Sequence, residues 1–115
     1  MKRRFRLTRS SDFVRVRRTG KSYADPLVVL ITVPSADSSI HVGITAGRSV
    51  GNAVQRNRAK RQLRSCMDQL LPFLLPEHDI VLIARKPILQ ADFSQICMAV
   101  QHLLARAGVG EKSNA

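Results

Sequence analysis

IHVGITAGRSVGNAVQRNRAKRQLRSCMDQLL, residues 40–71, changes its period half-way along. Over Ile40–Ala46 apolar side chains alternate with polar or small ones, the pattern of a strand with one covered face. From Asn52 to Leu71 there is neither Gly nor Pro, and Ala59, Leu63, Cys66, Met67, Leu70 and Leu71 recur at helical spacing until Pro72 closes the segment. Asp79–Ala84 (DIVLIA) is then a short apolar run, stopped by Arg85, Lys86 and Pro87, with the composition of a central strand. Strand, helix, strand forms a crossover that lets the two strands lie parallel.

Upstream, Leu27–Val33 (LVVLITV) is a β-branched run between Pro26 and Pro34, and PSADSS joins it to Ile40. That turn chemistry predicts an antiparallel hairpin of the two runs. Ser10–Arg18 reads as a short helix capped by Ser10 or Ser11, with Phe13 and Val16 on one face and Gly20 ending it. Asp92–Ala107 is the clearest helix. Asp92 caps it, Gly108 ends it, and Phe93, Ile96, Cys97, Val100, Leu103, Leu104 and Ala107 form one apolar stripe. The fold class is therefore α+β, an α/β sandwich of helices on a mixed sheet of about four strands. A chain of 115 residues makes one domain, here 1–107, and the polar stretch Gly108–Ala115 is expected to be a flexible tail.

Charge narrows the function. Nineteen Lys and Arg face eight Asp and Glu, a formal net charge of +11, while 44% hydrophobic residues suffice for a core. Such self-repulsion is tolerated by a chain that works against a polyanion: RNA, DNA or an acidic membrane. Nine cations and one acid lie within Met1–Lys21, and six cations with no acid lie within Arg48–Arg64. Like charges spaced i,i+4, Arg56 with Lys60 and Lys60 with Arg64, each cost a helix about 0.2–0.5 kcal/mol. At about 100° per residue, Arg56 and Lys60 share the arc of the apolar stripe, and Arg64, Asn57, Arg61 and Arg58 continue round from it. Since cations are not buried unpaired, the first half of this helix is expected to overhang an open groove beside the sheet, suited to a single strand of nucleic acid. Snorkelling of the two side chains on their alkyl stems is the plainer reading, but it leaves the missing acids unexplained. AGRSVGN, before the helix, offers backbone N–H groups to a phosphate or is simply a glycine turn.

Nothing in the spacing builds a protein active site. The acids are isolated or serve caps and turns, His41, His78 and His102 read as bystanders, and no nucleophile with a base is assignable. Cys66 and Cys97 read as small core thiols of a reducing cytosol. Phe73 and Phe93 read as core. Phe5, Phe13 and Tyr23 lie in or beside the basic N-terminal region, where a base can stack. Neither a secretory signal nor a run of 18 apolar residues is present.

GNAVQRNRAKRQLR, Gly51–Arg64, resembles the signature of the bacterial ribonuclease P protein family. RLTRSSDFVRVRRTGK resembles that family's opening helix, VGITAGRSVGNAV its third strand and loop, and DIVLIARKP its last strand. The resemblance implies a cytoplasmic subunit of an endoribonuclease that removes the 5′ leader of precursor tRNA, with hydrolysis performed by a catalytic RNA. It implies Mg2+ bound mainly by that RNA, and as partners the RNA and the leader, with no membrane and no protein partner required. It further implies a ribosomal protein S5 domain 2-like fold with a left-handed crossover, where the general rule gives a right-handed one. By the family pattern Arg56, Asn57, Arg58, Lys60, Arg61 and Arg64 meet the catalytic RNA and Phe13 lines the leader cleft; Arg48 is expected to join the first set, and Arg17, with Arg56 and Lys60 from the helix geometry, the cleft. Two positions depart from that pattern. Arg17 stands where a second aromatic is common, and Gly47 and Arg48 replace a pair of lysines.

Three other functions share the size and charge. A structural rRNA-binding protein would ignore single-stranded extensions, an autonomous nuclease would cleave without RNA, and a membrane-surface protein would need an apolar insertion face that this basic helix lacks.

Overall fold

The computed structural model describes residues 1–35 and 37–109. Four strands, β1 (Lys21–Ala24), β2 (Val28–Pro34), β3 (Ile40–Ala46) and β4 (His78–Ala84), form one sheet in the order β1-β2-β4-β3. Only β3 and β4 are parallel. Three helices cover the sheet: α1 (Ser10–Thr19), α2 (Ala53–Leu70) and α3 (Phe93–Arg106). The mixed sheet, the central place of β4 and the β3–α2–β4 crossover agree with the sequence reading.

The expected β2–β3 hairpin does not form. β4 is buried on both faces from Asp79 to Leu82, so it takes the interior place between β2 and β3. β3 carries His41, Gly43 and Thr45 on one face and fits the edge. The connection from β2 crosses the start of β4, where the Ser35 N–H donates to the Glu77 carbonyl (2.8 Å) and the Glu77 N–H donates to the Ser39 carbonyl (3.0 Å). Glu77 sits at φ 70°, in the left-handed region, to make both bonds. β1 is too short and polar (KSYA) to stand out in the sequence; it pairs with β2 from Lys21↔Thr32 to Ala24↔Val29.

The two sheet faces are covered unequally. Val28, Leu30, Ile40, Val42, Ile44, Ile80 and Leu82 pack with Ala59, Leu63 and Met67 of α2 and Ile96, Val100 and Leu103 of α3. On the other face Ile31, Val33 and Val81 meet only Leu7 and Val16, with Phe13, Val29 and Ile83 at the margin. Asn52 and Asp92 begin α2 and α3 with capping boxes closed by Gln55 and Gln95. α1 has neither expected serine as its cap; Arg9 occupies that position without a side-chain bond.

Three further expectations change. Phe73 is 58% exposed and Phe93 36%, so neither is core; each stands at a helix end, beyond the apolar seam. Gly108 and Val109 are not the start of a loose tail: Val109 is buried, donates to the Leu104 carbonyl and accepts from the Leu75 N–H. The rest of the expected tail, 110–115, lies outside the described residues. Cys66 and Cys97 are joined as a disulfide between α2 and α3 with Cα atoms 5.5 Å apart, where free thiols were expected. Two lone apolar-stripe cysteines give no sign that their stripes face each other. Among the described residues no helix is long and apolar enough to cross a membrane.

The bridge spans 31 residues of chain, and closing a loop of that size in the unfolded state is worth about 3–4 kcal/mol. Urea unfolding with and without dithiothreitol should differ by that order, and Cys97→Ser should remove the difference.

Candidate nucleic-acid interface

Register places the residues of α1's face in three rows across β2, β4 and β3: Val29–Ile83–Thr45, Ile31–Val81–Gly43 and Val33–Asp79–His41. α1 lies over the second and third rows. Val16 is fully buried there, and Phe13 lies directly over Gly43: a Cβ on that glycine would come within 2.6 Å of the Phe13 ring. Gly43 is thus the slot that lets the Phe13 ring close against the sheet. The first row stays half-buried, an open apolar floor. Arg15 points to the third row, and Arg17, about 160° round the helix from it, stands on the flank of the open one. Floor, Phe13 and Arg17 make a trough with an apolar base and a cationic rim.

The trough opens at the end of the sheet where β3 and β4 finish. Arg48 follows β3 there, Arg85 and Lys86 follow β4, and all three are exposed. α2 starts at this end too. Gly51, at φ 153°, packs so closely on the Gln55 amide that a Cβ would collide with it; the positive φ and this contact let Gln55 close the Asn52 cap. Along α2, Ala59, Leu63, Cys66 and Met67 are buried, Arg56, Lys60 and Arg64 half-buried, and Asn57, Arg58 and Arg61 exposed. Arg56 and Lys60 therefore do lie at the margin of the core stripe. None of the five α2 cations makes an ion pair or a hydrogen bond to a side chain or a loop carbonyl. Among the described Lys and Arg side chains, only Arg15 pairs with an acid.

The predicted cleft residues are not all in one place. Phe13 and Arg17 belong to the trough on α1's face, while α2 packs on the opposite face and carries Lys60 with it. The two surfaces meet at the shared end, where Arg48 and Arg56, in α2's first turn, stand. One open groove between α2 and the sheet is thus replaced by a trough and a basic ridge. Sequence reasoning also left Val29, Ile83, Arg85 and Lys86 unassigned; a half-covered sheet face has no sequence signal of its own.

Below α1, at the other end of the sheet, lies the chain's polar cluster. The Arg15 guanidinium donates to Asp79 Oδ2 (2.6 Å) and Asp12 Oδ1 (3.3 Å), and His41 Nδ1 lies 2.8 Å from Asp79 Oδ1. The hydrogen bond to Asp79 holds Arg15 above its ordinary range, with partial burial opposing and Asp12 adding. Asp79 is 4% exposed, the one buried charged residue among those described. His41, read as a bystander, is one of its two partners.

A profile of the Ribonuclease P family matches residues 1–108. The chain belongs to that family. It is the protein subunit of an endoribonuclease. The Ribonuclease P protein component of Listeria innocua is 35% identical over 105 residues, covering 90% of this chain and 88% of the relative. That of Chloroflexus aurantiacus is 37% identical over 108 residues, 93% and 80% of the two chains. The solved RNase P protein of Staphylococcus aureus superposes with a TM-score of 0.84 at 30% identity, over 93% of this chain and 98% of that one. For the Thermotoga maritima protein the TM-score is 0.79 at 28% identity, with 88% and 96% covered. Membership makes this an RNA-associated subunit, in keeping with the unpaired ridge.

Gly43→Val should drive the Phe13 ring from its slot. Overpacking of this kind costs about 1–3 kcal/mol in urea unfolding, and the helical circular dichroism of the folded fraction should persist because α2 and α3 pack on the other face.

Proposed function

We propose that the ridge Arg48, Arg56, Asn57, Arg58, Lys60, Arg61 and Arg64 holds the catalytic RNA, and that the trough of Phe13 and Arg17 takes the single-stranded 5′ leader of precursor tRNA. Arg56 and Lys60 serve the leader where trough and ridge meet. The observation that carries this reading is the row of α2 cations with no acid beside them. A helix that pays i,i+4 repulsion without relief inside the chain gains it from phosphates outside.

A single strand suits the trough better than a duplex. Its apolar floor and the Phe13 edge accept an unstacked base, and Arg17, Arg48, Arg85 and Lys86 flank the path of the backbone. Arg17, in place of a second aromatic, offers its planar guanidinium to a phosphate or a base face. The magnesium of the reaction belongs to the RNA in this reading. The ridge and trough present cations where a hard metal ion requires oxygen anions, and among the described residues no group of three or more His, Cys, Asp or Glu could hold a metal ion. The chain's part is to neutralise phosphates so that leader and catalytic RNA approach each other, in the cytoplasm where tRNA is processed.

Titrating labelled precursor tRNA with the reconstituted complex tests this. Each neutralised phosphate of a single strand contributes about −0.7 to the log–log salt slope, so engagement of six adds about −4. Lys60→Ala should make the slope shallower and weaken precursor binding, with the circular dichroism unchanged. A salt-independent affinity, or equal weakening for precursor and mature tRNA, would defeat the leader assignment.

A further inference from the structure

Three of the chain's eight acids, Asp12, Asp37 and Asp79, gather under one flank of α1. They surround Arg15 and His41: Asp79 contacts both, Asp12 contacts Arg15, and Asp37 lies 3.9 Å from His41 Nε2. In a chain with so few acids, placing the single buried one among those described beneath the helix that borders the trough needs a reason. Core stability is a poor one, because a buried ion pair recovers little beyond its own desolvation cost.

Geometry supplies another. α1 is held to the sheet by little else: Val16 and Phe13 are its only residues in the apolar cluster on that face. Ten residues of helix are not stable alone, so their tilt is set by these contacts. Val16 and Phe13 fix the height of α1 over the second row, and a contact on one flank is required to stop it rolling about them. Arg15 on Asp79 is that contact. It lies on the side away from the open row, so releasing it lets Phe13 and Arg17 roll over the floor of Val29, Ile83 and Thr45.

We infer that Asp79, gripping Arg15 and steadied by His41, is a positioning residue that sets the width of the trough and so the discrimination between leader-bearing and mature tRNA. The inference rests on the trough being the leader site. Asp79 itself touches no RNA; it acts through the tilt of α1.

The test uses the reconstituted complex and the ratio of dissociation constants for mature and precursor tRNA, with leaders of increasing length. Asp79→Asn and Arg15→Met should each lower that ratio by roughly three- to tenfold, while affinity for mature tRNA stays within about twofold. Arg15→Lys, which keeps a cation on Asp79, should retain most of the ratio. In the free protein, the nuclear Overhauser contact between the Phe13 ring and the Gly43 α-protons should weaken in Asp79→Asn and Arg15→Met and persist in Arg15→Lys. Arg15 is 41% exposed in its side chain, so its variants report even if Asp79→Asn fails to fold. Loss of the ratio in Phe13→Ala, with the ratio intact in a folded Arg15→Met, would overturn the latch and leave the trough standing. An unchanged ratio in Phe13→Ala would remove the trough as leader site, and this inference with it.

Discussion

Unrelieved positive charge is the constraint from which the rest of this structure follows. Fifteen of nineteen cations sit in two short segments, and only Arg15 among the described ones is neutralised by a carboxylate. A chain so charged cannot spread its cations over both faces and still close a core. It puts Ala59, Leu63, Cys66 and Met67 of α2 on the sheet and leaves the remaining arc to Arg and Lys. Folding is carried by the α2–α3 face. The other face carries one short helix and stays partly open, so the apolar floor that a base can use is sheet surface that the chain lacks the helices to cover.

Gly43 and Phe13 connect this economy to recognition. With any other residue at 43 the ring would stand away from the sheet, and α1 would lose one of its two apolar anchors. With glycine there the ring is half sheltered and half presented, stable as packing and available as a stacking edge. In the proposed reading the same side chain serves core and site, because the site is the margin of the core. Arg17 and Arg15 stand on opposite flanks of α1: in the proposed reading one faces the polyanion, and the other holds the chain's own buried acid.

Much of this was legible in the residues. The α2 and α3 spans, Asp92 as the cap of α3, the parallel β3–β4 pair and the basic helix all follow from periodicity and the distribution of charge. The strand order was not: LVVLITV and DIVLIA both lie inside the sheet, and only the bonds of Ser35 and Ser39 with Glu77 decide which neighbour β2 takes. Turn chemistry in PSADSS named a turn and could not name its destination. Asp79 looked like a strand-start acid, since its burial depends on Arg15, 64 residues away. The trough was invisible for the same reason: it exists only where a ten-residue helix fails to reach the first row of a sheet built from distant strands.

In the proposed reading that shortfall also leaves the chemistry to the RNA. A protein nuclease must close a site, exclude water from it and converge acids or bases on one phosphate. Among the described acids, Asp92 caps α3, Asp25 and Asp37 serve turns, Asp12 and Asp79 hold Arg15 and Asp68 takes the N-terminal ammonium, and what the chain leaves open is shallow, apolar at the base and cationic at the rim. Such a surface suits a flexible strand held by its phosphates and its base faces with little regard to sequence, and in the proposed reading the bond to be cut remains in the hands of the RNA. In the proposed reading the division of labour between the two subunits shows in where the buried carboxylate went: Asp79, with Asp12, holds Arg15 of α1, and there it shapes the path of the strand without meeting it.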